Sequence, residues 1–232
     1  MRSLKQDYRA LVIGASGGIG AAIAAQLRQD SRCGALETLS RRGDPGFDVT
    51  DEASVAEAVD RLGRAGSFDL VFDATGALTI DGTGPEKTIR TLDPAAMARQ
   101  FAVNAIGPAL LMKHVLPLLS RQERALFATL SARVGSIGDN RLGGWISYRA
   151  SKAALNQIVR TAAIEARRTH PNAVVAALHP GTVATSLSEP YGARCNRLSP
   201  DQSAALLLEV LDQLERAQSG GFFAYDGSVI QW

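Results

Sequence analysis

Six short apolar runs, at residues 10–13, 35–40, 68–73, 125–130, 173–178 and 222–225, are each closed by glycine or polar residues. Their length suits strands buried inside a sheet. Helical spacing fills the gaps. Ile19, Ile23 and Leu27 stack along 18–29, and Val55, Val59 and Leu62 form the apolar stripe of 51–63. Longer helical patterns cover 94–120 and 147–169, and Ser199 with Pro200 opens another that runs to about residue 218, because serine caps and proline is preset for the first helical position. The stretch 79–93 is polar and glycine-bearing and reads as a loop. Strands alternating with helices of this length predict an α/β fold with a parallel sheet covered on both faces. Without a repeat or linker, residues 1–232 form one domain.

Composition narrows the partners. The chain has 232 residues, 46% hydrophobic and 21% charged, with a net charge of +2. That is an ordinary balance for a water-soluble domain, and too little positive charge to argue for a nucleic acid or an anionic membrane. Cys33 and Cys195 have no metal-like or disulfide-like spacing, and His114, His170 and His179 fall in no metal or nucleophile pattern, so no metal and only structural or surface roles are expected of them. The N-terminus lacks the apolar segment of a signal peptide. The apolar stretch 105–119 is interrupted by Gly107, Pro108, Lys113, His114 and Pro117, too short and broken to span a bilayer. A cytoplasmic location is expected.

Three places carry candidate chemistry. Gly14-Ala15-Ser16-Gly17-Gly18-Ile19-Gly20 follows a strand and opens a helix. Glycine lets the main chain approach a pyrophosphate, and the unpaired N–H groups of the helix start supply donors. The second strand ends in Ser40-Arg41-Arg42. A carboxylate there would accept from ribose hydroxyls, whereas two guanidinium groups favour a 2′-phosphate. Tyr148 and Lys152 stand one turn apart on one helix face. Bringing a phenol from about 10 to about 7 takes roughly 4 kcal/mol, and an ammonium at ~4 Å supplies a term of about that size before desolvation. Further back, Pro108 has no N–H for the Asn104 carbonyl, so a kink should free that carbonyl for a water.

The glycine turn together with Tyr148-Arg149-Ala150-Ser151-Lys152 resembles the short-chain dehydrogenase/reductase family, and Gly143-Gly144-Trp145, Ala153–Asn156 and Phe222–Gly227 look most like its C-factor and carbonyl-reductase subgroup. The resemblance implies a doubly wound Rossmann-type sheet of about seven parallel strands and an oxidoreductase moving hydride between NADP(H) and a small carbonyl or alcohol. It places the cofactor on Gly14, Ser16, Gly17, Gly18, Ile19 and Gly20, on Ser40, Arg41 and Arg42, and on Asp48 and Val49 beside the adenine. It continues to Ala74, Thr75 and Gly76, where Asp73-Ala74-Thr75-Gly76 keeps only the last residue of the family's Asn-Asn-Ala-Gly. Pro180, Gly181, Val183 and Thr185 would meet the nicotinamide end. Tyr148 is implied as general acid/base, assisted by Lys152, the positive nicotinamide ring and a water on Asn104, all three residues also touching the cofactor. The family's substrate-binding serine falls on Ala132 here; Ser131 is the candidate to replace it, with Ser136 or no donor as the alternatives. A substrate lid near 186–198, holding Leu187, Pro190, Tyr191, Gly192 and Leu198, and pairing of the helices at 94–120 and 147–169 into a homodimer or homotetramer are also implied. The subgroup resemblance leaves a second reading, a nucleotide-binding signalling or sensor protein with little turnover.

Overall fold

The computed structural model describes residues 1–186, 188–189 and 197–232. Six strands, β1 (Tyr8–Ile13), β2 (Cys33–Leu39), β3 (Leu70–Asp73), β4 (Ala125–Leu130), β5 (Ala173–His179) and β6 (Phe222–Ala224), form one sheet in the order β2-β1-β3-β4-β5-β6. Every pairing is parallel. Strands buried on both faces read as continuous apolar runs, which is why these segments are visible in the sequence.

Alternation splits each strand between two cores. Leu11, Ile13, Val71, Phe127 and Val175 face α2 (Glu52–Gly63), α4 (Gly107–Val115) and α5 (Ile146–Ala166). Ala10, Val12, Phe72, Leu126 and Val174 face α1 (Gly18–Gln29) and α6 (Pro200–Gln213). The serine cap expected at Ser199 forms, with its hydroxyl accepting the Gln202 N–H at 3.1 Å, and the Gln202 side chain returns the bond to complete a capping box.

The sheet has six strands where about seven were expected. A further parallel strand beyond β2 would need a crossover of a dozen or more residues. Residues 40–51 offer no more than that crossover alone, and they fold as tight turns, with the Gly43 and Asp44 N–H groups donated to the Ser40 carbonyl. At the opposite edge the chain returns antiparallel past the Asp226-Gly227 turn: Ala224 N–H donates to Ser228 and Ile230 N–H to Phe222, both at 2.8 Å.

The long helix expected at 94–120 is three pieces: α3 (Pro94–Phe101), a π-turn (Ala102–Ile106) and α4, followed by a 3₁₀ turn at Leu116–Leu118. The break lies just ahead of Pro108, as a widened turn rather than a simple kink; π-turns of this kind cluster at functional sites. Measured as one helix, Pro94–Leu118 spans 25 residues at a mean hydropathy of 1.3, long and apolar enough to cross a membrane by composition. This exceeds the broken stretch read from the sequence. Here it packs against α2 and α5 as a layer of the fold. The loop 79–93 is also more ordered than its polarity suggests. Ile80 and Thr83 pair with each other, and Glu86 is hydrogen-bonded across the start of α5.

Candidate active site

In a doubly wound sheet a ligand crevice opens where the strand order reverses, at the carboxyl ends of the strands. Here that point lies between β1 and β3. Gly14 leaves β1 with φ +80°, and a Cβ on it would stand 2.9 Å from the Ala74 carbonyl group after β3. A Cβ on Gly20 would meet the Gly14 oxygen at 2.3 Å, and one on Gly18 would meet Thr185 Cγ2 at 2.7 Å. The glycine turn and the turn after β5 are thus in contact, and side chains are excluded from the floor. Gly17 caps α1 with no side-chain hydrogen bond, and Ser16, Gly17 and Gly18 are exposed. The helix start therefore keeps its N–H donors for an anion. On this test the turn fits a dinucleotide pyrophosphate.

At the end of β2, Ser40 is buried and its hydroxyl accepts the Gly43 N–H at 3.0 Å, so it braces the turn. Arg41 and Arg42 are exposed beside it. Asp48 is held below the ordinary carboxylate range by hydrogen bonds from Thr50 and by the charge of Arg41. Val49 packs against α4, where a Cβ on Gly107 would touch its Cγ2 at 2.8 Å. After β5, Pro180 accepts the Ser203 hydroxyl at 2.9 Å and Val183 pairs with Leu198. Gly181, at φ +78°, has the Tyr225 ring where a Cβ would lie. Of the expected lid, Leu187 and residues 190–196, which include Pro190, Tyr191, Gly192 and Cys195, lie outside the described residues.

The polar centre sits between α5, the π-turn and the loop after β3. Asn104 is fully buried; its Oδ1 accepts the Ala77 N–H at 2.9 Å, and its Nδ2 donates to the Ala77 carbonyl at 2.8 Å and to Gln100 Oε1 at 2.7 Å. The side chain thus ties the 74–77 loop to the helix layer. A Cβ on Gly76 would lie 3.0 Å from Asn104 Oδ1 and 3.3 Å from Lys152 Nζ, which places those two groups side by side against the loop. Lys152 is buried, and its ammonium donates to the Leu130 carbonyl at 2.9 Å and stands 6.0 Å from the Tyr148 ring centroid. Tyr148 is half-buried, with the Trp145 ring edge-on at 6.3 Å.

These two groups perturb each other less than burial perturbs both. Burial pushes the Tyr148 phenol up to about 12. Burial also lowers Lys152 to about 8, against an upward pull from Asp73.

The family model described as enoyl-(acyl carrier protein) reductase matches residues 20–230. The 1-hydroxy-2-glutathionyl-2-methyl-3-butene dehydrogenase of Rhodococcus sp. (strain AD45) is 35% identical over 96% of this chain and 98% of its own length. The chain belongs to the short-chain dehydrogenase/reductase family. Like its relatives it is an oxidoreductase. The C-signal of Myxococcus xanthus is 37% identical over 61% of this chain and 81% of its own length. The NADPH-bound carbonyl reductase of chicken fatty liver superposes with a TM-score of 0.84 at 26% identity, over 98% of this chain and 95% of that one.

This short-chain dehydrogenase/reductase departs from expectation at its serine. Ser131 is 3% exposed and donates its hydroxyl to Asn156 Oδ1 at 2.6 Å. Ser136 is also buried and accepts the Asp139 N–H at 3.1 Å. The Ser131 hydroxyl is thus engaged with Asn156 inside the core, the Ser136 hydroxyl keeps its own proton while it accepts the Asp139 N–H, and Ala132 is half-buried at the head of the following turn. Two more residues touch this region, His179, expected to be structural or at the surface, and Glu86, which the sequence did not single out. His179 ends β5, and its Nδ1 accepts the Arg133 N–H at 3.3 Å, which leaves the ring proton on Nε2. Burial and the charge of Arg133 hold it neutral, down to about 4. Glu86 accepts the Ser147 N–H at 3.2 Å and the Ser147 hydroxyl, one residue before Tyr148. Burial pushes that carboxyl up, but the Ser147 hydrogen bonds outweigh it and hold the group below its ordinary value.

Proposed function

We propose that this enzyme reduces a small aldehyde or ketone, or oxidises the matching alcohol, with NADP(H). The observation that carries the reading is the placement of Tyr148 and Lys152 on the first turns of α5, with Lys152 beside Gly76 and Asn104 and the glycine turn in the same crevice. NADP(H) bound along that turn would supply or accept the hydride, and its oxidised ring would add a positive charge to the site. Tyr148 holds the proton that goes to the substrate oxygen on reduction and takes it back on oxidation. Lys152 lowers the cost of the phenolate and presents its ammonium to the ribose side. Asn104 fixes the loop that lines the pocket and carries the main-chain carbonyl for a relay water. Arg41 and Arg42 support NADP(H) over NAD(H), since exposed paired guanidinium groups suit a 2′-phosphate. Ser16, Ile19, Asp48, Val49, Ala74, Thr75, Pro180, Gly181, Val183 and Thr185 complete the cofactor's path. The names of the Rhodococcus and chicken relatives support an alcohol/carbonyl pair as substrate.

The reading extends to a cytoplasmic location and to a homodimer or homotetramer, the assembly being supported by Ile106 of the π-turn and Ile164 of α5, 51% and 44% exposed. A second reading, cofactor binding with little turnover, is favoured by Ala132 and the committed Ser131 hydroxyl, and by likeness to the C-signal. NADPH oxidation over a panel of aldehydes, ketones and diketones separates them. Turnover that disappears in Tyr148→Phe while NADPH still binds is the expected result. Tight binding without turnover of any panel member would favour the second reading, and full activity in Tyr148→Phe would remove the phenol from the mechanism.

A further inference from the structure

Asp73 ends β3 at the carboxyl edge of the sheet and has no exposed surface. Its Oδ1 accepts the Thr75 N–H at 2.9 Å and the Thr75 hydroxyl at 2.6 Å, and its Oδ2 accepts the Thr129 hydroxyl at 2.6 Å. Three donors converging on two oxygens suit the ionised carboxylate, which only accepts. A buried carboxylate held in that form needs a compensating positive charge.

Lys152 meets the description. It is itself 3% exposed. It hydrogen-bonds Leu130, the neighbour of Thr129 on β4, and its Nζ lies against Gly76 on the loop that Asp73 begins. Among the described residues Asp73 is the anion whose charge acts on Lys152, and Glu86, on the loop after β3, is committed to Ser147. From its own helix come Tyr148 and Arg149, whose guanidinium is committed to the Gly144 and Val134 carbonyls. The turn after β4 brings Arg133, exposed and ion-paired with Asp139 at 3.4 Å. The start of the loop after β3, the π-turn and α3 bring the uncharged Thr75, Asn104 and Gln100, while Arg99 of α3 is ion-paired with Asp81 at 3.6 Å.

We propose that Asp73 is a positioning residue for Lys152: a buried carboxylate, clamped by Thr75 and Thr129, that keeps the ammonium protonated and held at the Leu130 carbonyl, beside Tyr148. Burial raises the Asp73 carboxyl above its ordinary value and lowers the Lys152 ammonium below its own; against burial, the Thr129 and Thr75 hydrogen bonds and then Lys152 pull Asp73 down, and Asp73 pulls Lys152 up. Only the kinetic consequence depends on the carbonyl-reductase reading; the charge pairing does not.

The test is a lysine titration. Lys5, Lys87, Lys113 and Lys152 are the chain's lysines, so ¹³Cε-lysine labelling gives a short spectrum in which Lys152→Met identifies the buried signal. In the cofactor-free full chain, Lys152 is expected to titrate near 8. In Asp73→Asn, which preserves shape, its midpoint should fall by about one unit or more, tenfold in proton affinity, with the other lysines unmoved. The alkaline limb of turnover should move down with it. Should Asp73→Asn not fold, Lys152→Met provides the reciprocal measurement: the Asp73 carboxyl, followed by ¹³Cγ, should titrate higher than in the wild type. An unmoved Lys152 midpoint in Asp73→Asn, or an unmoved Asp73 midpoint in Lys152→Met, overturns the proposal; a purely structural Asp73 would lower stability and leave Lys152 where it was. Coupled shifts in a chain that turns over no carbonyl compound would remove the proposed reaction and leave the pairing standing.

Discussion

Replacing Asn104 with alanine removes one side chain that makes three hydrogen bonds, two to Ala77 and one to Gln100. The backbone loses a tether and Gln100 Oε1 loses its donor. A buried polar group left without a partner costs about 1–3 kcal/mol. Asn104 and Gln100 are buried, but Ala77 is only half-buried, so water can recover part of its share. The sum is a loss of about 2–5 kcal/mol of folding stability. For a chain of this size that corresponds to a fall in melting temperature of roughly 4–20 °C, at about 2–4 °C per kcal/mol. Urea unfolding followed by circular dichroism reads the free energy, and a calorimetric scan reads the temperature. Because the same tether sets Gly76 against Lys152, NADPH affinity measured by fluorescence at a temperature where the variant is folded should also weaken. A loss below about 1 kcal/mol, with cofactor affinity unchanged, would mean that the 74–77 loop does not depend on Asn104.

Three further outcomes follow from named contacts. Arg41→Ala/Arg42→Ala should weaken NADPH binding at least tenfold and leave NADH binding nearly unchanged in titration calorimetry; equal losses would end the 2′-phosphate argument. Ala132→Ser restores a hydroxyl at the head of the turn after β4 and should leave kcat/KM for the best panel substrate the same or higher, whereas a sharp fall would show that this position does not face the substrate oxygen. His179 is held at about 4, below the ordinary histidine value. The folded chain therefore binds fewer protons there than the unfolded one, so stability is complete above about 6.5 and is lost as pH falls from there through about 4. This share is about 3 kcal/mol at most, and His179→Gln should flatten the urea-stability curve between those pH values; an unchanged slope would contradict it.

The parts legible in the sequence are those whose signal is local. The glycine turn is contiguous, and Tyr148 and Lys152 are one helical turn apart, so their chemistry shows in a few residues. Strands buried on both faces leave unbroken apolar runs, which made β1, β4 and β5 plain. What escaped depends on contacts distant along the chain. Nothing near Glu86 announces that it will cap α5 across the loop, and a polar loop was the natural reading. Ser131 could be judged only after Asn156, on a helix, was found to take its hydroxyl. Asp73 counted as a weak match to a motif, although an aspartate ending a wholly apolar strand is itself a signal of a buried charge in need of a partner.

The central claim is that Tyr148 is the group that gives and takes the substrate proton, and tyrosinate absorbance near 295 nm tests it directly. Without cofactor, Tyr148 should ionise only near 12. With saturating NADP⁺, a one-tyrosine rise in absorbance should appear several pH units lower, in the range where activity rises, and should be missing from Tyr148→Phe. If the wild type and Tyr148→Phe titrate identically with NADP⁺ present, the phenol is not poised for proton transfer and another group must carry the substrate proton.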